Sequence, residues 1–138
     1  MRRNWLRKMK VDLVHSLVNI SSTFNWTFPA EIERWVDGDS AFVQIQRTAR
    51  EKLMNVEIRL DGINAVELKT AFGPEAKAFM EKLAPTGSTV MLVERNHKEK
   101  YGRELARVLL PDGRDLCLEI LLAKASDGVT PLAVPYNP

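Results

Sequence analysis

The stretch NVEIRLDGINAVEL, residues 55–68, joins an alternating strand pattern to a polar loop. In a half-buried strand the apolar residues Val56, Ile58 and Leu60 point to one face, so Arg59 lies on the polar face. The simplest interpretation of this segment alone is a solvated edge with ordinary charges, because charged side chains usually sit in water. A functional role for Arg59 needs partners from other segments.

The composition is that of an ordinary globular protein with one compact core. The chain has 138 residues, of which 45% are hydrophobic and 28% are charged, which is the usual range for a single domain. The net charge of +2 is too small to indicate a nucleic-acid-binding protein, so an anionic substrate needs a local basic patch. A single cysteine, Cys117, excludes an intramolecular disulfide and fits neither a zinc cluster nor a redox pair. Its apolar surroundings predict a buried thiol.

The N-terminal segment, residues 1–28, is basic and amphipathic. It holds five basic side chains against one acidic one, a charge of +4, so the rest of the chain carries −2. Trp5, Met9, Leu13 and Leu17 recur at intervals of four, as on one face of a helix. The segment is a poor export signal and too polar to span a bilayer. We predict a basic amphipathic helix. Three roles of this segment remain open. It packs on the domain or on a partner, it contacts nucleic acid or a membrane surface, or it is a degenerate export signal. The localisation is also open.

The remaining residues, 29–138, form the second predicted unit and read as five strands and two helices. The predicted strands are 30–36, 41–46, 55–60, 89–93 and 105–110, and the predicted helices are 73–83 and 116–125. Asp37-Gly38 marks a tight turn, Pro74 begins the first helix and Asp115 caps the second. This order fits an α+β, mainly β fold, a small five-stranded barrel of the oligonucleotide-binding type, better than an open α+β sandwich.

Acidic and basic side chains occur where the predicted strands end. Asp39 lies in VDGDS, Arg59, Asn64 and Glu67 lie in RLDGINAVEL, and Arg103 lies in KYGREL. The order and spacing of these segments resemble the thermonuclease family, the staphylococcal-nuclease-like proteins. The family pattern runs from a DGD(T/S) turn through an arginine-bearing strand and a GI(D/N)(A/T)PE loop to a GPEA helix and a KYGR loop. GPEAKAF and KYGRELA match it closely.

The resemblance covers about residues 30–126 and implies both a fold and an activity. The implied fold is the same five-stranded barrel with helices. The implied activity is calcium-dependent hydrolysis of phosphodiester bonds in DNA, RNA or both, leaving 3′-phosphate ends. The resemblance places Asp39, Asn64 and the main-chain carbonyl of Ala65 at the calcium site, and it makes Glu67 the general base for water.

The resemblance also implies how the substrate is held. Arg59 and Arg103 would hold the phosphate, and Glu99, Lys100 and Tyr101 would lie near the sugar, phosphate and base of the nucleotide. The residue types suit this chemistry on their own account. Calcium prefers several hard oxygens in a flexible cage, water needs a nearby base, and guanidinium groups bind phosphoryl oxygens through fixed, bidentate donors.

Three features depart from the family pattern. Asn64 stands where aspartate is usual, which removes one negative charge from the metal cage. Val66 replaces the proline before the glutamate, so the loop loses a fixed φ angle. The tail SDGVTPLAVPYNP replaces a tyrosine-containing stretch and a final helix.

The departures leave a second function open, a nucleic-acid-binding module of the same fold with weak or no catalysis. A third possibility is a protein-interaction domain whose N-terminal segment, residues 1–28, lies on a membrane surface, although no feature of the sequence implies a protein partner. Glu67 and the two arginines favour the enzyme, because a protein that only binds needs no base.

Overall fold

The computed structural model describes residues 26–46, 48, 50, 52–98 and 102–136, without the side chains of residues 26 and 95–98. The predicted N-terminal helix and Glu99, Lys100 and Tyr101 lie outside these residues. The strands are β1 (Trp26–Trp35), β2 (Ser40–Ile45), β3 (Met54–Leu60), β4 (Ile63–Ala65), β5 (Thr89–Lys98), β6 (Glu104–Leu109) and β7 (Ala133–Pro135). The helices are α1 (Gly73–Leu83) and α2 (Leu116–Leu121).

Five strands close into a barrel in the order β1-β2-β3-β6-β5. Strands β1, β2 and β3 form an antiparallel meander, β3 pairs in parallel with β6, and β5 runs antiparallel to both β1 and β6. Closure removes the unpaired edges that an open sheet of this size would expose. The predicted α+β barrel with two helices is therefore confirmed.

The alternation of apolar residues along the strands builds the core. Ile58 and Leu60 on β3 are almost fully buried, and so are Val43 on β2 and Val90 on β5, because alternate side chains of each strand point into the barrel. Arg59 lies on the outer face of β3, as the pattern in residues 55–60 predicts.

The helices close the barrel near the β1–β2 turn. Helix α1 begins with proline in its first turn and buries Ala76 and Met80, and the Trp35 indole N–H of β1 donates to the Ala84 carbonyl at its end (2.9 Å). Neither helix of the described ranges is long and apolar enough to cross a membrane.

Helix α2 begins where the sequence predicts and ends earlier. Asp115 is its N-cap and accepts from the backbone N–H of Cys117 at 2.9 Å. Cys117 is buried, as predicted, and burial raises the pKa of its thiol far above the usual value. The predicted end at Ala125 is wrong, since the helix ends at Leu121. Beyond it the chain turns back, and Lys124 forms an isolated bridge with Pro131.

The other strand boundaries also differ from the prediction. Strand β1 begins at Trp26 instead of residue 30. Residues 26–29 pair only with β5, so the missing N–H of Pro29 costs no hydrogen bond to β2. Strand β5 continues to Lys98 through residues predicted as a loop. The paired strands β4 and β7 have no counterpart in the prediction, because each is only three residues long.

Candidate active site

The β1–β2 turn holds Asp39 rigidly. The Asp37 carboxylate accepts the backbone N–H of Asp39 (3.0 Å) and the hydroxyl of Ser40 (2.8 Å), so Asp37 is a turn former. Gly38 is buried, and a Cβ atom at this position would lie 2.9 Å from the Cβ atoms of Ala65 and Ala76. Only glycine lets the turn pack this closely against both elements.

Asp39 is buried among groups from β3 and β4. Its residue exposure is 8%, and its Oδ2 accepts the backbone N–H of Ala65 at 2.8 Å and lies 3.4 Å from Nη1 of Arg59. Its own carbonyl accepts the backbone N–H of Leu60 at 2.8 Å. The structure therefore brings Asp39 together with Arg59 and Ala65, which lie at least 20 residues further along the chain.

Burial makes Asp39 costly to ionise. Desolvation, with a smaller contribution from the neighbouring Asp37, raises the pKa of Asp39 to about 6 against the opposing attraction of Arg59. Burial also acts to raise the pKa of Asp37, but the hydrogen bonds from Asp39 and Ser40 outweigh it and leave that pKa below its usual value. Such a buried carboxylate is stabilised in its charged form by an additional cation.

Arg59 bridges the carboxylate and the amide of the site. Its Nη2 donates to Oδ1 of Asn64 at 2.9 Å and its Nη1 donates to the carbonyl of Leu60 at 3.0 Å. Its side chain is 12% exposed. Both terminal nitrogens of the guanidinium group donate to protein oxygens, which fixes its plane.

The backbone of Ala65 faces the site because of its pairing with β7. Asn64 is opposite Val134 and Ala65 is opposite Ala133. The Val66 N–H donates to the Leu132 carbonyl, so hydrogen-bonded pairs alternate along the ladder and Ala65 falls in a non-hydrogen-bonded pair. Its N–H and carbonyl therefore point away from β7, and the N–H reaches Asp39.

Glu67 lies just beyond β4 in the loop that leads to α1, and it is exposed. Its carbonyl accepts the backbone N–H of Thr70 at 2.9 Å and the Thr70 hydroxyl at 2.6 Å. The preceding residue, Val66, donates its N–H to Leu132 at 3.0 Å. The backbone of Glu67 is thus fixed next to the group formed by Asp39, Arg59 and Ala65.

Arg103 lies immediately before β6 and is partly buried. Arg59 is opposite Leu105 in the parallel β3–β6 pair, and Arg103 precedes Leu105 by two positions. The two arginines therefore lie close to the point where the β3–β6 pairing begins. The remaining predicted substrate residues, Glu99, Lys100 and Tyr101, lie outside the described residues.

The oxygen atoms of this site are of the type that calcium prefers, but they carry little negative charge. Asp39, Asn64 and the carbonyl of Ala65 are hard oxygen donors of the kind that calcium prefers. Within the described ranges, no group of three His, Cys, Asp or Glu side chains could hold a metal. A cation here would therefore depend on one buried carboxylate, neutral oxygens and water.

A comparison with known families identifies the family of this chain. The family described as staphylococcal nuclease homologue matches residues 57–126, just over half of the chain. The chain belongs to the staphylococcal nuclease homologue family. No curated protein matches the chain. Membership of this family indicates a nuclease or a nucleic-acid-binding protein, and the matched residues include Arg59, Asn64, Ala65, Glu67 and Arg103.

Sequence reasoning missed the residues that support the Glu67 loop. These are Thr70, Gly73 and Leu132. The GP dipeptide at residues 73–74 signals the start of a helix, and nothing in it shows that Gly73 lies under Glu67. The contact from Leu132 could not be predicted, because it depends on a strand pair between two short segments far apart in the chain.

Proposed function

We propose that this protein is a calcium-dependent nuclease that hydrolyses phosphodiester bonds in DNA, RNA or both with little sequence preference. The observation that supports this most is the contact of Asp39 with both Arg59 and Ala65, which gathers a carboxylate, a guanidinium group and the backbone of β4 two residues before Glu67. Phosphate contacts carry no base information, so such a site discriminates little between sequences.

Glu67 has the role of general base. Its carboxylate accepts a proton from the attacking water, whose oxygen bonds to phosphorus while the bond to the 5′ oxygen breaks. The 5′ oxygen takes up a proton from solvent and leaves as a hydroxyl, so that the phosphate remains on the 3′ side. An exposed carboxylate on a backbone fixed beside Asp39 and Arg59 suits this step, because a base must reach the water in the substrate complex.

Arg59 and Arg103 stabilise the phosphoryl oxygens as negative charge accumulates on them. Arg59 lies on β3 and Arg103 immediately precedes β6, where that strand begins to pair with β3, so both guanidinium groups are proposed to bind one phosphate. The contacts of Arg59 with Leu60 and Asn64 hold its guanidinium in place, and donors fixed in advance need no reorganisation when the charge develops.

Asp39, Asn64 and the carbonyl of Ala65 are the residues that would hold calcium. A bound calcium ion supplies a positive charge that polarises phosphoryl oxygens. The raised pKa of Asp39 supports this assignment, because a carboxylate buried at this cost is stabilised by a cation that binds it. Glu99, Lys100 and Tyr101 are proposed to contact the nucleotide from the loop before Arg103.

A nucleic-acid-binding module with weak catalysis is the second candidate. It is favoured by the contact between Asn64 and Arg59, because the amide oxygen that calcium needs already accepts a hydrogen bond. A neutral amide also offers calcium less attraction than a carboxylate.

A cleavage assay separates the two candidates. Purified protein is incubated with linear DNA and with RNA in calcium, and then in calcium with an excess of chelator. The nuclease yields calcium-dependent degradation with 3′-phosphate ends. Retarded but intact nucleic acid in calcium would support the binding module and contradict the nuclease.

A further inference from the structure

We propose that Thr70 and Gly73 are positioning residues for Glu67, so that the loop between β4 and α1 sets the geometry of the general base. This inference rests on the proposed role of Glu67 and names the residues that hold it. Neither residue touches the substrate or the reacting atoms. Each acts on the backbone of Glu67.

Thr70 fixes the Glu67 carbonyl with two donors. Its backbone N–H and its hydroxyl reach the same oxygen, at 2.9 Å and 2.6 Å. Thr70 is exposed, so the hydroxyl could bond to water at no cost to the core. Its short bond to Glu67 therefore serves the local shape of the loop and adds little to burial or to the stability of the barrel.

Gly73 lies directly under the same peptide. A Cβ atom at this position would lie 2.1 Å from the Glu67 carbonyl oxygen and 2.5 Å from Cα of Leu68. Both contacts are with backbone, so no side chain can move aside to relieve them. Gly73 is needed because the Glu67 loop passes this close to the start of α1.

The opposite side of the loop is held by the tail. The Val66 N–H donates to the Leu132 carbonyl at 3.0 Å. A proline at residue 66 would fix φ but would have no N–H for this bond. In this chain the hydrogen bond between Val66 and Leu132 therefore takes the place of the φ angle that a proline would fix. Thr70 and Gly73 support the loop from its other side.

The first test compares Thr70→Val, Thr70→Ser and Thr86→Val. Thr86 is the matched control, because its exposed hydroxyl donates to the Glu33 carbonyl at 2.9 Å and neither residue belongs to the candidate site. We expect Thr70→Val to lower kcat about tenfold, since small displacements of a catalytic group are costly, with KM and melting temperature nearly unchanged. Thr70→Ser should restore kcat, and Thr86→Val should leave it unchanged.

Gly73→Ala provides a second variant with a stronger displacement. We expect kcat to fall by at least about a hundredfold because the Glu67 peptide must move, and circular dichroism should still show the barrel. Equal losses of kcat in Thr70→Val and Thr86→Val, or unchanged kcat in Thr70→Val and Gly73→Ala, would overturn the proposal.

A double-mutant cycle separates this inference from the proposed function. If Thr70 acts through Glu67, Thr70→Val has no further effect on kcat in the Glu67→Gln background. Additive losses would overturn the positioning role while leaving Glu67 as the base. A Glu67→Gln variant with wild-type kcat would instead show that the proposed base is wrong, and the positioning role would fall with it.

Discussion

At the scale of single residues, Arg59 connects the parts of the candidate site. It lies 3.4 Å from Asp39 and donates to Asn64 and to the carbonyl of Leu60. One guanidinium group thus contacts a carboxylate and an amide that are both assigned to calcium. Its removal should affect turnover and metal binding in different ways.

We expect Arg59→Ala to lower turnover by about 10² to 10³, the usual cost of deleting one donor fixed for the transition state. Arg59→Lys should rescue poorly, because lysine cannot copy the bidentate geometry. Calcium affinity should not weaken, since Asp39 and Asn64 lose a competing cation. Single-turnover cleavage and calorimetry measure the two effects. Arg114→Ala is the control, because Arg114 is exposed and pairs with Asp112.

Full activity in Arg59→Lys would contradict bidentate phosphate binding by Arg59. A loss of calcium affinity in Arg59→Ala as large as the loss of turnover would mean that Arg59 only supports the fold of the site.

Asn64→Asp introduces a carboxylate at the position where the family pattern has either aspartate or asparagine. We expect the dissociation constant for calcium to fall about tenfold, or about 1.4 kcal/mol, because ligand charge is a main determinant of calcium affinity. The new carboxylate would also pair more strongly with Arg59, which lies 2.9 Å from Oδ1 of Asn64. Titration calorimetry with and without a nucleotide 3′,5′-bisphosphate measures the change. Equal affinity in the two proteins would exclude Asn64 as a ligand.

The sequence predicts which residues belong to the candidate site better than it predicts how they are supported. The motif order places Asp39, Arg59 and Ala65 near one another, and the structure brings them into contact. The bond from Val66 to Leu132 is invisible in the sequence. It joins two main-chain groups, so no particular side chain marks it.

At the scale of elements, α2 supports the turn that carries Asp39. A Cβ atom on Gly38 would lie 3.3 Å from Cδ1 of Ile120, so α2 packs directly behind this turn. Asp115 caps the helix through the Cys117 N–H and also pairs with Arg107. The buried carboxylate of Asp115 therefore joins β6 to α2, and α2 in turn packs behind the β1–β2 turn.

We expect Asp115→Ala to lower the free energy of unfolding by about 2 kcal/mol, because it removes an N-cap and the partner of Arg107. Asp112→Ala is the matched control, since Asp112 also accepts from an arginine and from a backbone N–H but is exposed. It should leave the unfolding midpoint unchanged. Urea unfolding followed by circular dichroism measures both, and equal midpoints for the two variants would contradict the role of Asp115.

The elements that the sequence predicts are those with local signals. Strand β3 follows from its alternation, and α1 follows from Gly73-Pro74 and the spacing of Ala76 and Met80. Strands β4 and β7 do not follow, because three-residue strands have no periodicity to detect. Strand β5 extends beyond its apolar run since β6 pairs with it as far as Lys98, a contact that overrides the polar sequence.

At the scale of the whole molecule, the charge is distributed unevenly. Residues 1–28 carry +4 and the remainder carries −2, so the predicted amphipathic segment is the basic part of the chain. Residues 1–25 of this segment lie outside the described residues, and its role stays a prediction.

Deletion of residues 2–20 removes the five basic residues of the N-terminal segment and one acidic residue. If the segment contacts phosphate, affinity for DNA should fall and its salt dependence should flatten, because fewer counterions are released on binding. A variant with glutamine at the five basic positions keeps the apolar stripe and serves as the control. Loss of thermal stability with an unchanged salt slope would assign the segment to packing on the barrel instead.

The Glu67→Gln variant tests whether Glu67 acts as a base in calcium-dependent hydrolysis. Single-turnover cleavage of end-labelled DNA is measured in saturating calcium for both proteins, together with DNA affinity and circular dichroism. We expect cleavage to fall by about a hundredfold or more, the scale of losing a general base, while affinity and fold stay unchanged. Cleavage by Glu67→Gln at the wild-type rate would contradict the account.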